Sequence, residues 1–269
     1  MDPKNPGGVD EIIHLGDYWD LKKMEENKEE ILKTNKEVGR LFKRAYRFLK
    51  SALPVYEDIV AKNSDSMDFG KVNIITYDLI NEIFEEVPVN KNPGKDRHLF
   101  GSAYTPNGWV EHTDTILQDA KKVYYIKGDI GTGKSTLLQK VYNEALVSGM
   151  NVEVYHTPLN PEKIETIYIK DLNIGLTVSE TFKKNNFKTI DLDSFMIKDK
   201  VKKYNEELEY DKKLLNILID NAIININKAK KKHDVLETYY VPNMNFDEIN
   251  KVKEELIDRI LQYDTKTED

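Results

Sequence analysis

Apolar residues recur at helical spacing near both ends of the chain and at strand spacing in its middle. From about residue 22 to 50 the stripe Ile31, Val38, Leu41, Phe42, Ala45 and Leu49 predicts an amphipathic helix. A second helix is predicted over 71–86, stopping before Pro88, and 88–95 reads as a linker. Lys122–Lys127 is short and rich in Val, Tyr and Ile, the pattern of a buried strand. Glycines follow, then a predicted helix over 134–148 closed by Gly149. Residues 151–156 alternate like a strand. Two more strands are predicted within 165–178 about the polar turn Lys170-Asp171-Leu172-Asn173, and another at 188–192. Helices are predicted over 198–235 and 246–263. Strand–helix–strand order after residue 122 predicts an α/β fold, a parallel sheet flanked by helices, with an added mainly helical segment at the N-terminus.

The pattern also repeats. Met67, Phe69, Asn73, Leu79, Ile80 and Ile83 fall without a gap on Met244, Phe246, Asn250, Leu256, Ile257 and Ile260, an offset of 244 minus 67, or 177. The same offset sets Glu29, Glu30, Lys36, Leu41 and Ala45 on Glu206, Glu207, Lys213, Leu218 and Ala222. Two unrelated amphipathic helices would share spacing, but not one offset carried through the loop between them. The second copy begins near residue 95, so 1–94 is expected to be a mainly helical remnant of a first repeat and 95–269 a complete one.

Composition narrows the chemistry. None of the 269 residues is cysteine, which removes disulfides, thiolate metal sites and thiol nucleophiles. The net charge of −7 argues against bulk attraction to nucleic acid or to an anionic membrane. No apolar run approaches the roughly 20 residues of a membrane span, and the first residues lack a signal-peptide pattern, so a soluble cytoplasmic protein is expected.

The chemical motif follows the first buried strand: Gly128-Asp129-Ile130-Gly131-Thr132-Gly133-Lys134-Ser135-Thr136. Glycine, four residues, then Gly-Lys-Ser is the phosphate-binding pattern. Its glycines let the backbone curl into a concave nest of N–H groups, and the following helix adds unpaired donors and partial positive charge. Lys134 is expected to reach the β- and γ-phosphates of a nucleoside triphosphate, Ser135 to take one position on Mg²⁺, and Thr136 to approach the α-phosphate. A magnesium-holding acid belongs at the end of another strand. Asp171, Glu180, Asp191 and Asp193 are all open on that count. Asp191 and Asp193 weigh most, because they end a strand that could lie beside the one leading into the loop. His156 also ends a strand, at an edge where open α/β sheets bind ligands.

Arg97-His98-Leu99-Phe100-Gly101-Ser102, Thr105-Pro106-Asn107-Gly108 and Tyr125–Thr136, with Val9–Ile13 and Leu15–Asp20, resemble a bacterial family of tandem P-loop proteins. Its members are described as ATPases or nucleotide-kinase-like proteins and have no established substrate. The resemblance implies ATP and Mg²⁺ at Lys134 and Ser135. It also implies a truncated first half, so that the partner is either another copy in a homo-oligomer or the missing first P-loop half.

Arginine is scarce, five against 35 lysines, and only Arg259 follows the loop. That disfavours a monophosphate kinase with its own arginine-rich lid. Arg40, Arg44 and Arg47, flanked by Lys33, Lys36 and Lys43, share one helix face: a solvated stripe or a surface for phosphate or an acidic partner. Ile217 and Ile224 replace Arg40 and Arg47 in the second copy and make that helix apolar nearly all round, so burial on more than one side is expected. Three functions remain: a hydrolysing or phosphoryl-transferring enzyme, a nucleotide-binding switch or assembly protein with little turnover, and a scaffold with a vestigial loop.

Overall fold

The computed structural model describes residues 4–88 and 90–264, so Val89 of the expected linker lies outside the described residues. Three helices come first: α1 (Leu21–Glu26), α2 (Lys28–Asp65) and α3 (Phe69–Phe84). Strand β1 (Asp96–Leu99), the hairpin β2 (Ser102–Thr105) and β3 (Gly108–Glu111), and the short α4 (Thr113–Ile116) follow. Then come β4 (Lys122–Lys127), α5 (Lys134–Val147), β5 (Val152–His156), β6 (Ile164–Ile169), β7 (Ile174–Thr177) and β8 (Lys188–Asp191). Helices α6 (Lys198–Tyr240) and α7 (Phe246–Asp264) end the described chain. No described helix is long and apolar enough to cross a membrane.

Two compact units emerge, Lys43–Asn227 and Met1–Phe42 with Lys228–Asp269. This division reports compactness. The boundary expected at 94/95 reports internal resemblance and is a different property.

The larger unit holds a six-stranded sheet in the order β1-β5-β6-β7-β4-β8. Pairs β1–β5, β4–β7 and β4–β8 are parallel, whereas β5–β6 and β6–β7 are antiparallel. Five strands therefore run one way and β6 runs against them, so the expected parallel sheet is mostly parallel, with one reversed strand. The cause is local: parallel neighbours need a crossover of a dozen or so residues, and the Lys170–Leu172 turn closed by Asn173 at φ +52° is far too short. Strand β4 sits between two parallel neighbours with Val123, Tyr124, Tyr125 and Ile126 all buried, as a strand covered on both faces requires. Helix α5 lays Leu137, Leu138, Val141 and Ala145 into the same core, and α3 adds Val72, Leu79, Ile83 and Phe84.

Helix α2 continues to Asp65, 15 residues past its expected end, with Pro54 inside it. A proline there removes one backbone bond and costs roughly 3 kcal/mol. Ala52 and Ile59, both fully buried against Leu208 and Leu215 of α6, offset that cost through packing. Helix α6 differs from expectation on its other face. Ile217 and Ile224 are exposed, because they lie opposite the buried Leu208–Leu215–Ala222 side of this helix.

In the smaller unit Ile31, Val38 and Leu236 form the core, with Met24, Phe42, Tyr239 and Tyr240 around them. Trp19 packs on Tyr240 with ring centroids 5.1 Å apart.

The offset of 177 recurs in the backbone. A 3-10 turn at Leu15–Tyr18 corresponds to one at Leu192–Phe195. Helix α3 starts at Phe69 and α7 at Phe246. Asp68 caps the first, accepting from Lys71 N–H at 3.2 Å, and Asn245 the second, accepting from Glu248 N–H at 3.2 Å. Within the larger unit Met67 bridges Met196, Asp68 N–H donates to Phe195 O at 3.0 Å and Ile197 N–H to Ser66 O at 2.8 Å. Within the smaller unit Met244 bridges Trp19, Asn245 N–H donates to Tyr18 O at 2.9 Å and Asp20 N–H to Asn243 O at 2.8 Å. Each atom pair is the other displaced by 177. An ion pair follows the same rule with its charges exchanged: Lys188 to Glu82 in the larger unit, Glu11 to Arg259 in the smaller.

Candidate functional site

Strand β4 ends at Lys127, and the loop 128–133 turns the chain into α5. Gly131 and Gly133 have φ of +83° and +98°, the left-handed region that favours glycine. A side chain at Gly131 would also meet the Val60 carbonyl oxygen at 2.7 Å. The loop is held from outside by the last turns of α2. Asn63 Nδ2 donates to Ile130 O at 2.7 Å and Ser64 Oγ to Gly131 O at 2.9 Å. Thr132 Oγ1 donates to Asp129 O at 2.9 Å. With these carbonyls engaged, the loop presents its opposite face to the site.

Gly133 stands at the N-cap of α5 and supplies no side-chain acceptor. The N–H groups of Lys134, Ser135 and Thr136 have no backbone acceptor among the described residues, so the helix opens with unpaired donors and its positive dipole end. Lys134 folds back over the loop. Its Nζ donates to Gly128 O and, at 2.6 Å, to Asp129 O. Burial holds this ammonium below its ordinary pKa, while the carboxylates of Asp129, Asp193 and Glu180 pull the other way. Ser135 Oγ accepts the Ile164 N–H at 3.0 Å and ties α5 to the start of β6.

Strand β8 lies directly beside β4, with Asp191 in register with Lys127. Lys127 Nζ is 2.6 Å from Asp191 Oδ2. Asp193 Oδ1 accepts the Asp129 N–H at 2.8 Å, so this carboxylate touches the loop itself. Asp129 in turn caps the Ile130 N–H at 2.7 Å through Oδ1 and pairs with Lys212 of α6 through Oδ2. Glu180 follows β7 at the same sheet edge, where its Oε1 accepts the Tyr125 hydroxyl at 2.6 Å. Asp171 follows the reversed strand β6 and so falls at the opposite edge, where it accepts the Asn151 N–H.

A cavity of about 330 Å³ opens on the loop. It is lined by Gly131, Gly133, Lys134, Ser135 and Thr136, by Tyr56, Val60, Ser64 and Phe69, and by Thr157, Lys163, Ile164 and Val178. That volume is at the lower end for a small-molecule site. Three groups here escaped the sequence reading. The Tyr56–Ser64 wall lies on α2 beyond Pro54, Lys163 sits on a loop without periodicity, and Lys212 is one lysine among many. The continued spacing of Tyr56, Ile59, Val60 and Asn63 is the signal that could have revealed the wall.

His156 meets a partner that the sequence did not reveal. His98 Nδ1 lies 2.7 Å from His156 Nε2, and His98 Nε2 lies 3.2 Å from Asp96 Oδ2, which also accepts the Tyr142 hydroxyl. Burial, then His98, holds His156 below the usual histidine pKa. The arginine stripe is exposed: Arg40 pairs with Glu37 at 2.9 Å and Arg44 lies 5.2 Å over the Phe48 ring. Among the described residues no cluster of three acidic, histidine or cysteine side chains could hold a metal ion by itself.

Searches against protein-family models, curated proteins and solved structures return no match.

Proposed function

We propose that the loop 128–136 is a P-loop, and that the chain binds a nucleoside triphosphate with Mg²⁺ and hydrolyses it or passes its terminal phosphoryl group to an acceptor. One observation carries the reading. Three amides at the start of α5 without a backbone acceptor among the described residues, two left-handed glycines and a half-buried ammonium converge on one cavity at the carboxyl edge of β4. An anion of high charge density fits that arrangement, because it satisfies the donors and also meets the ammonium and the positive helix end with negative charge.

Lys134 would exchange its two loop carbonyls for phosphate oxygens, which bring a charged partner into direct contact with the half-buried ammonium. The N–H groups of 134–136 would hold the phosphates in line, and Lys163 in the cavity wall would supply a further cation where arginine is scarce. The oxygen donors fit magnesium, which takes one or two protein oxygens and completes its shell with phosphate and water. Ser135 would supply one, and Asp193 or Asp191 would hold the metal's waters. When bound, that ion neutralises charge on the phosphates. Asp193 already positions the loop through the Asp129 amide, so it is the better placed of the two acids.

The resemblance to tandem P-loop ATPases or nucleotide-kinase-like proteins favours ATP over GTP and is consistent with 95–269 as one nucleotide-binding repeat. A switch with little turnover is the second reading. It is favoured by the engagement of Asp191 with Lys127, which keeps one acid away from catalysis. The test is a thermal shift and a hydrolysis assay with ATP or GTP plus Mg²⁺. Stabilisation and slow ATP loss, both abolished by Lys134→Ala, are expected for the enzyme. Stabilisation without turnover selects the switch. No shift with either nucleotide refutes both.

A further inference from the structure

The larger unit shows how the elements related by the 177 offset are meant to be covered. There α3 and the β8 segment close over a core made by β4 and α5, and their apolar side chains vanish into it: Ile83 is 6% exposed, Phe84 8%, Ile190 2% and Leu192 0%. In the smaller unit the corresponding residues stand open: Ile260 is 64% exposed, Leu261 58%, Ile13 39% and Leu15 47%. The frame around them is the same. The 3-10 turn, the bridge at the helix start, the N-cap and the inter-element ion pair are all in place. The Arg259–Glu11 pair sets α7 beside the 9–15 segment, so these side chains belong to one surface.

Backbone groups tell the same story. Residues 188–191 form a parallel ladder with β4, whereas 11–14, their counterparts, pair with no strand among the described residues. An apolar face next to a segment that corresponds to a sheet strand but lacks its ladder is a surface suited to a sheet edge.

We propose that this surface is the docking site for a second α/β core of the kind formed by residues 96–187. That core would offer an edge strand parallel to residues 11–14 and, beneath α7, a helix with a Leu/Val stripe like that of Leu137, Leu138 and Val141. Chemical identity supports the fit. Ile13 and Ile190 are the same residue, as are Leu15 and Leu192, and Leu256 and Ile260 repeat Leu79 and Ile83. A second copy of this chain does not offer the required face, because its own α3 and β8 already cover it. The exchange is reciprocal: the helix of each sequence repeat completes the core belonging to the other. Nucleotide binding is not needed for this inference.

The test adds the proposed core to the chain. Residues 95–185 are placed ahead of Val9, in place of residues 1–8, since residue 186 corresponds to residue 9. Hydrogen exchange of the 246–261 peptides is then compared with that of the unaltered protein. Exchange slowed by about tenfold or more, with the slowing removed by Ile260→Glu, is expected. Unchanged exchange in a folded fusion overturns the proposal. Should the fusion fail to fold, the unaltered chain still decides. Ile260→Glu is expected to leave its melting temperature in place, while Ile83→Glu abolishes the cooperative transition. Equal damage from both overturns it. So does a chain that sediments as a dimer and becomes monomeric on Ile260→Glu, because a second copy then occupies the face.

Discussion

Glu165 lies on β6 at the sheet edge nearest the loop, and it is buried. Its Oε1 accepts the Ser102 hydroxyl at 2.6 Å, but no cation is paired with it among the described residues. Burial, reinforced by the nearby Glu111 carboxylate, pushes its pKa from the ordinary 4.5 up to about 7, against the opposing pull of the Ser102 hydrogen bond. Between those two pH values the folded protein holds a proton that the unfolded chain has released, so stability must fall as pH rises. Each pH unit of separation is worth about 1.4 kcal/mol, and the loss from pH 4.5 to above 7 therefore totals about 3 kcal/mol. Glu165→Gln keeps the acceptor for Ser102 and removes the titration. Urea unfolding at pH 5 and pH 8, read from Trp109 in a Trp19→Phe background, measures the effect on the larger unit. The substituted protein is expected to match the parent at pH 5 and to exceed it at pH 8 by about 3 kcal/mol, a midpoint shift on the order of 1 M. Parallel pH dependences in the two proteins would refute the reasoning, since the cost must then come from another group.

Three further outcomes follow from geometry already described. Gly131→Ala combines a left-handed φ with a 2.7 Å approach to the Val60 carbonyl, and should cost roughly 1–3 kcal/mol in urea unfolding and abolish the thermal shift with ATP; an unchanged shift would mean that α2 does not press on the loop. Leu79→Ala should cost roughly 2–5 kcal/mol and its counterpart Leu256→Ala less than about 1, because only the first side chain is fully buried; similar losses would contradict the difference in covering. Asp193→Asn should weaken nucleotide binding more with Mg²⁺ than with EDTA, read by titration calorimetry, and an equal loss in both would assign Asp193 to loop shape alone.

The elements legible in the sequence are those whose local pattern and tertiary role agree. Buried β4, the glycine loop and α5 follow one another with the spacing that each demands, and the structure begins α5 at Lys134 and ends it at Val147. The end of α2 is hidden because Pro54 is a local stop signal, whereas continuation to Asp65 depends on Ala52 and Ile59 packing on a helix some 150 residues away. That is why the Tyr56–Ser64 wall of the cavity was missed although the loop it covers was found. Strand β1, Asp96-Arg97-His98-Leu99, carries one apolar residue in four and lies at a sheet edge, so neither alternation nor a hydrophobic run marks it. With β1 unseen, the His98–His156 contact could not be anticipated. The reversal of β6 is within reach, because the four residues after it, Lys170-Asp171-Leu172-Asn173, read as a turn and a turn that short leaves only an antiparallel return.

The exchanged ion pair has a consequence for how the chain reaches this arrangement. Helices α3 and α7 each carry an N-cap, an apolar stripe and a bridge just before the first turn, at positions related by the same offset, so during folding each is a plausible occupant of the other's seat. Glu82 set against Glu11, or Arg259 against Lys188, would place like charges together at the very positions where the native pairs attract. Two surface ion pairs that add little to stability can thus act as a key, penalising the wrong assignment of two look-alike helices while a shared architecture is reused twice in one chain.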